Sequence, residues 1–135
     1  MNANAHQLLV ELYAEWRRLT DLEGAAIGAD EWPNVARQQQ LKLELRDQIV
    51  QTTEQWHVER AATETETAAN VRFEQEFRPI VADLIQRETR NHEMICERKQ
   101  RVQSDLAALR QSSTRLRGIQ RAYSADTGSR WQSYS

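Results

Sequence analysis

A regular apolar repeat in the second half of the chain restricts the protein to a helical fold. Between residues 81 and 123, the positions of this repeat alternate steps of four and three residues, the spacing of a heptad seam along one helix face. Eight of its thirteen positions are apolar or aromatic. The polar interruptions are typical of an antiparallel bundle rather than of a strong two-stranded zipper. The sequence therefore predicts one long helix over about 71–123.

The composition agrees with this pattern. The 135 residues include only four glycines and two prolines, whereas an all-β chain needs many turn residues. Apolar residues make up 39%, which suits helices with one apolar stripe and disfavours a thick core with an enzyme pocket. We predict an all-α fold, an elongated antiparallel bundle of three or four long amphipathic helices with coiled-coil packing. Residues 1–123 would form this single domain, followed by a flexible aromatic tail over 124–135.

Two shorter helices are predicted before the long one. The first covers about 4–27, with one face formed by Leu9, Leu12, Trp16, Leu19, Leu22 and Ala26. The second covers 31–60 or a longer range, with Asp30 as its cap and Pro33 in its first turn. Its predicted face consists of Trp32, Ala36, Gln39, Leu43, Val50 and Trp56, flanked by Leu41, Leu45 and Ile49.

Two places leave the helix count open. Residues 61–69 contain no large apolar side chain, so they form either a solvated helix or a loose connector, and we expect a helix with a break inside. Pro79 either kinks the long helix or begins a new one. Phe73, Phe77, Ile80 and Leu84 form a second apolar stripe beside the seam.

The residue types that carry chemistry are sparse. Glu54 and His57 have the Glu-x-x-His spacing of di-iron bundles, but no second such pair occurs. His92 and Cys96 are four residues apart, and two ligands do not make a closed metal site. No glycine-rich phosphate loop or nucleophile elbow is present. We therefore expect no metal, no cofactor and no enzymatic activity.

Charge and hydropathy restrict the partners. The net charge is −2. Between positions 98 and 121 the sequence contains seven basic residues and only one acidic residue, Asp105, whereas residues 54–76 carry an excess of acidic residues. The basic stretch lacks aromatic residues for base stacking, which favours a solvated helix face over a nucleic-acid site. The chain contains one cysteine, no secretory signal and no apolar run long enough to cross a membrane. These features predict a cytoplasmic protein without membrane insertion.

Two groups of residues resemble the flagellar export chaperones of the FlgN-like and FliT-like group. The first is Ala29-Asp30-Glu31-Trp32 followed by Val35, Gln39, Lys42-Leu43 and Ile49. The second, in the long helix, comprises the segments 88–91, 98–99, 106–109 and 116–123. The resemblance covers residues 5–123; the tail 124–135 and the Thr/Glu/Ala connector depart from it.

The resemblance implies a small cytoplasmic chaperone that binds the terminal helix of a hook-associated or filament-cap subunit. Such a chaperone prevents premature assembly and delivers its client to the type III export apparatus. The expected client-binding residues are Leu106, Leu109, Leu116 and Ile119. The same residues could equally be buried in the core of the bundle. The residues expected to dock an export component are Tyr123, Trp131 and Tyr134. The alternative is a structural coiled-coil adaptor that self-associates through the 81–123 seam, for instance as a homodimer.

Overall fold

The protein consists of three long helices. A computed structural model describes the backbone of residues 4–133 and the side chains of residues 4–125. The helices are α1 (Ala5–Gly28), α2 (Trp32–Ala61) and α3 (Glu66–Ser133), and residues 4–133 contain no strand. Consecutive helices pack antiparallel, which confirms the predicted all-α class.

The chain divides into two compact units, Met1–Ile95 and Cys96–Ser135. The first unit contains α1, α2 and the part of α3 up to residue 95, and the second contains the rest of α3. This division differs from the boundary after residue 123 that the sequence suggested. The two units are therefore described separately.

The turn between α1 and α2 is short, as expected, but its chemistry differs from the prediction. Asp30 has a φ of 57°, in the left-handed region that aspartate tolerates better than most residues. The predicted cap role of Asp30 is wrong, because Glu31 occupies the N-cap position of α2 and makes no side-chain cap bond there. Pro33 lies in the first turn of α2, where its missing N–H is harmless.

The connector between α2 and α3 contains the expected break. α2 ends at Ala61 and α3 begins at Glu66, five residues before the predicted start at 71. The Thr65 hydroxyl accepts a hydrogen bond from the Ala68 amide at 3.1 Å and so satisfies one donor of the first turn. Pro79 lies inside α3 and does not begin a new helix.

The core of the first unit consists of three successive apolar clusters. Trp56 and Phe77 are the largest fully buried side chains, and they pack with Leu9 at one end of the bundle. Leu12, Leu19 and Leu45 form the middle cluster. Ala26, Ile27 and Val35 close the other end, against Met94 and Ile95.

The buried faces differ from the predicted ones where polar residues enter the core. On α1, Leu22 is exposed and its neighbour Glu23 is buried. On α2, five of the six members of the predicted face are exposed, namely Trp32, Ala36, Gln39, Leu43 and Val50. The observed buried face of α2 carries Val35, Lys42, Leu45, Thr52 and Trp56. The predicted face was chosen for its large number of apolar side chains. That choice leaves out the polar residues Lys42 and Thr52, which is why the predicted and observed faces of α2 differ.

The first part of α3 packs through the stripe that was predicted to be secondary. Phe77 and Leu84 of that stripe are buried, whereas the seam residue Ile85 is exposed. The helical pattern was also expected to stop at Tyr123, which is wrong, since α3 continues to Ser133. No proline occurs in 124–133, so nothing sterically prevents the helix from continuing.

Candidate interaction surface

The second unit presents its apolar residues to solvent. Leu106 is 46% exposed, Leu109 and Leu116 are each 65% exposed, Ile119 is 63% exposed and Tyr123 is 75% exposed. Val102, one step earlier in the repeat, is also exposed. The structure therefore places all four predicted client-binding residues on the surface rather than in a core.

These residues share one helix face because of their heptad register. Taking Leu106 as position a, the a positions are Lys99, Leu106, Ser113 and Gln120. The d positions are Val102, Leu109, Leu116 and Tyr123. We call the residues at d, together with Leu106 and Ile119, the exposed stripe. At 1.5 Å per residue, its span from 102 to 123 is about 30 Å long.

The exposed stripe is bordered by basic residues. Arg110 and Arg117 occupy successive e positions, which adjoin the a positions and flank the a/d seam, and both are exposed. Arg101 and Arg115 occupy c positions on the outer side of the helix and are also exposed. Residues 96–125 contain seven lysines and arginines against Glu97 and Asp105. The sequence showed this charge run, but only the heptad register separates the two arginines that flank the a/d seam from the two on the outer side of the helix.

The predicted docking residues are only partly described. Tyr123 lies on the exposed stripe at a d position. The side chain of Trp131 and the whole of Tyr134 lie outside the described residues. The structure therefore leaves the grouping of these three aromatic residues as a prediction.

A buried polar cluster occupies the middle of the first unit. The Lys42 ammonium donates to Glu23 at 2.9 Å and also to Glu88. The side chains of Lys42 and Glu23 are 7% and 3% exposed, whereas that of Glu88 is 37% exposed. One carboxylate oxygen of Glu88 also accepts from the Trp16 indole at 3.1 Å and the Thr20 hydroxyl at 2.9 Å.

Asn91 completes this polar cluster from α3. Its amide nitrogen donates to the Thr20 carbonyl at 2.8 Å and to Glu23 at 3.0 Å. Its side-chain oxygen lies against Gly24, where an added Cβ would be only 2.8 Å away. The cluster joins all three helices of the first unit at one level, which fixes their register. Sequence reasoning missed it because no local pattern marks Glu23, Lys42 or Asn91 as buried.

A small apolar groove lies on the surface of the first unit. It has a volume of about 360 Å³, and its apolar lining includes Tyr13, Trp16, Ile49, Leu84 and Ile85. Burial raises the pKa of the Tyr13 hydroxyl above its ordinary value of 10.0.

An ion-pair chain links α1 to α3 on the surface of the first unit. Arg87 donates to Asp83 at 2.9 Å and to Asp21 at 2.7 Å. The hydrogen bond from Arg87 lowers the pKa of the Asp83 carboxyl, and the same bond raises the pKa of Arg87. These surface groups orient the helices but add little stability, since water screens their charges.

The described side chains assemble no group suited to metal chemistry. Among residues 4–125, no three His, Cys, Asp or Glu side chains lie close enough together to hold a metal ion. Glu54 and His57 line a shallow groove with Asn70, and Cys96 is exposed. In the part of the chain that the structure describes, no helix combines the length and the hydropathy needed to span a membrane.

Comparison with protein-family models, with curated proteins and with solved structures gives no match for this chain.

Proposed function

We propose that this protein is a non-enzymatic, cytoplasmic chaperone that holds an amphipathic helix of a client protein on the exposed stripe. Following the resemblance of residues 5–123, the client is a hook-associated or filament-cap subunit of the flagellum. Binding keeps that subunit from premature assembly and delivers it to the type III export apparatus. The observation that carries the proposal is the exposure of Leu106, Leu109, Leu116 and Ile119 along one helix face.

The shape of the exposed stripe supports a helix as its ligand. Exposed apolar patches of this kind mark interaction sites, and side chains spaced three and four residues apart engage the same spacing on a partner helix. A small molecule needs a concave pocket with converging polar groups, whereas the stripe is a convex face of one helix. A helical segment of a subunit fits these requirements.

The exposed area of each leucine gives the size of its contribution to the free energy of client binding. Full burial of a leucine stabilises a complex by about 1.5–3 kcal/mol, and Leu109 and Leu116 are about two thirds exposed. Each therefore contributes about 1–2 kcal/mol when a partner covers it. Losing both contacts should weaken binding by at least about thirtyfold.

The test is co-purification with the flagellar subunits encoded in the same genome. We expect the full chain to form a one-to-one complex with one hook-associated or filament-cap subunit. Leu109→Gln combined with Leu116→Gln should weaken that complex by at least about thirtyfold. The matched control is Ala107→Gln with Ala108→Gln, which alters the outer face of the same helix and should bind normally. Equal binding by both double variants would contradict the proposal.

Light scattering separates the proposal from the adaptor alternative. A monomer at all concentrations that becomes one-to-one with the client is the expected result. An elongated, stable dimer that ignores flagellar subunits would instead indicate a self-associating coiled-coil adaptor.

The proposal assigns docking on an export component to Tyr123, Trp131 and Tyr134. Deleting residues 124–135 shortens α3 but should leave the helices before residue 124 and client binding intact while weakening delivery in a secretion assay. Unfolding of the truncated chain would contradict this assignment.

A further inference from the structure

We infer that the helix which covers the exposed stripe is acidic along the flank that faces Arg110 and Arg117. This inference rests on the proposed function, since it specifies the chemistry of the partner that the same surface binds. It concerns the edge of the site, whereas the proposed function concerns its apolar centre.

The register of the arginines carries the argument. In helix pairs, residues at e and g flank the apolar seam and select the partner through their charges. Arg110 and Arg117 are one heptad apart at e, both on the a side of the a/d seam, and both are exposed. A partner with glutamates or aspartates at the facing positions would form charge-assisted hydrogen bonds with both guanidinium groups. A basic partner would be repelled by them.

A second copy of the chain fits this surface less well. In a parallel pair, Lys99, Ser113 and Gln120 would meet their own counterparts at the a positions, with lysine against lysine in the first of these layers. In an antiparallel pair the e edges face each other, which brings arginine towards arginine. Residues 96–125 also carry an excess of five positive charges, so these segments of two copies repel each other when they approach side by side. The parallel arrangement gains a single favourable pair, Asp105 with Arg110. That pair does not offset the polar a layers and the repulsion between the positive charges.

Three designed peptides test the inference directly. Each is about four heptads long with the same leucines and isoleucines at a and d, and they carry glutamate, glutamine or lysine at e and g. Fluorescence anisotropy of labelled peptide, below the concentration at which the peptide associates with itself, gives the affinity for the full chain. We expect the glutamate peptide to bind about tenfold more tightly than the glutamine peptide, and the lysine peptide to bind most weakly.

Matched variants locate the charge effect. Arg110→Gln with Arg117→Gln should weaken binding of the glutamate peptide by about three- to tenfold and leave the glutamine peptide unchanged. Arg101→Gln with Arg115→Gln removes the same charge from c positions and should change either affinity by less than about twofold. Raising NaCl from about 50 to about 500 mM should weaken the glutamate peptide selectively.

The outcomes separate this inference from the proposed function. Equal affinity for the glutamate and glutamine peptides, with both lost in the Leu109→Gln, Leu116→Gln variant, would overturn the inference and leave the proposed function standing. Equal losses from the e and c arginine pairs would likewise overturn it, because only net charge would then matter. If no peptide binds, or if all bind the leucine variant normally, the proposed function fails together with it.

Discussion

Replacing Lys42 by methionine removes the cation that two carboxylates share inside the first unit. Methionine keeps most of the aliphatic volume and a similar helix propensity, so the change isolates the charge. Breaking a buried ion pair costs about 3–5 kcal/mol, because it leaves an uncompensated buried charge. Glu23 is almost fully buried, but the partly exposed Glu88 is screened by water, which places the expected loss at about 3 kcal/mol.

Urea denaturation followed by circular dichroism measures this loss as a lower midpoint with an unchanged slope. Arg46→Met is the matched control, one helical turn away, where an exposed side chain lies 3.8 Å from Asp47. It should cost less than about 0.5 kcal/mol. Adding Glu23→Gln to the Lys42→Met variant should restore about 1–2 kcal/mol by removing the orphaned charge.

A Lys42→Met variant as stable as Arg46→Met would refute the reasoning. So would a large loss that Glu23→Gln does not relieve, because the loss would then come from packing rather than from charge.

Three further substitutions test the packing of Gly24, the helix around Gly118 and the burial of Tyr13. Gly24→Ala should destabilise the protein by about 1–2 kcal/mol in urea, since its Cβ would displace the Asn91 side chain and strain two hydrogen bonds. Gly118→Ala has open space around it and should raise the helical signal in circular dichroism, because alanine favours a helix by about 0.5–1 kcal/mol. Tyr13→Phe should reduce the loss of stability above pH ~10: the folded chain holds the Tyr13 proton to a higher pH than the unfolded chain, so ionisation favours unfolding there. Urea midpoints at pH 7 and in steps above pH 10 measure this effect.

Each of these results has a clear opposite. A stabilising Gly24→Ala would show that Asn91 moves at no cost. Unchanged helicity in Gly118→Ala would show that this glycine does not limit the helix. Identical alkaline unfolding of wild type and Tyr13→Phe would show that burial of Tyr13 does not couple its proton to folding.

The helices were predictable from the sequence because their apolar periodicity is strong. The start and end of α1, the turn before Pro33 and the break after Ala61 all follow from local signals that act within a few residues. Which face of α2 is buried could not be predicted in this way. Lys42 is buried because Glu23 and Glu88, on two other helices, satisfy its charge, and no local pattern shows that pairing.

The candidate interaction surface could be predicted only in part from the sequence. The heptad spacing identified Leu106, Leu109 and Leu116 as one face, but periodicity is the same for a core stripe and for a binding stripe. Only their exposure in the folded chain distinguishes the two. The end of α3 was missed because Gly128 and its polar neighbours lower helix propensity, yet none of them forbids a helix.

Hydrogen exchange of the full chain, alone and with the glutamate peptide, tests the central claim most directly. We predict that amides of residues 102–123 exchange rapidly in the free chain, since no packing protects their side chains, and become strongly protected in the complex. The core around Trp56 and Phe77 should stay protected in both states. Protection of residues 102–123 without any peptide, or peptide-induced protection confined to the groove of the first unit, would contradict the account.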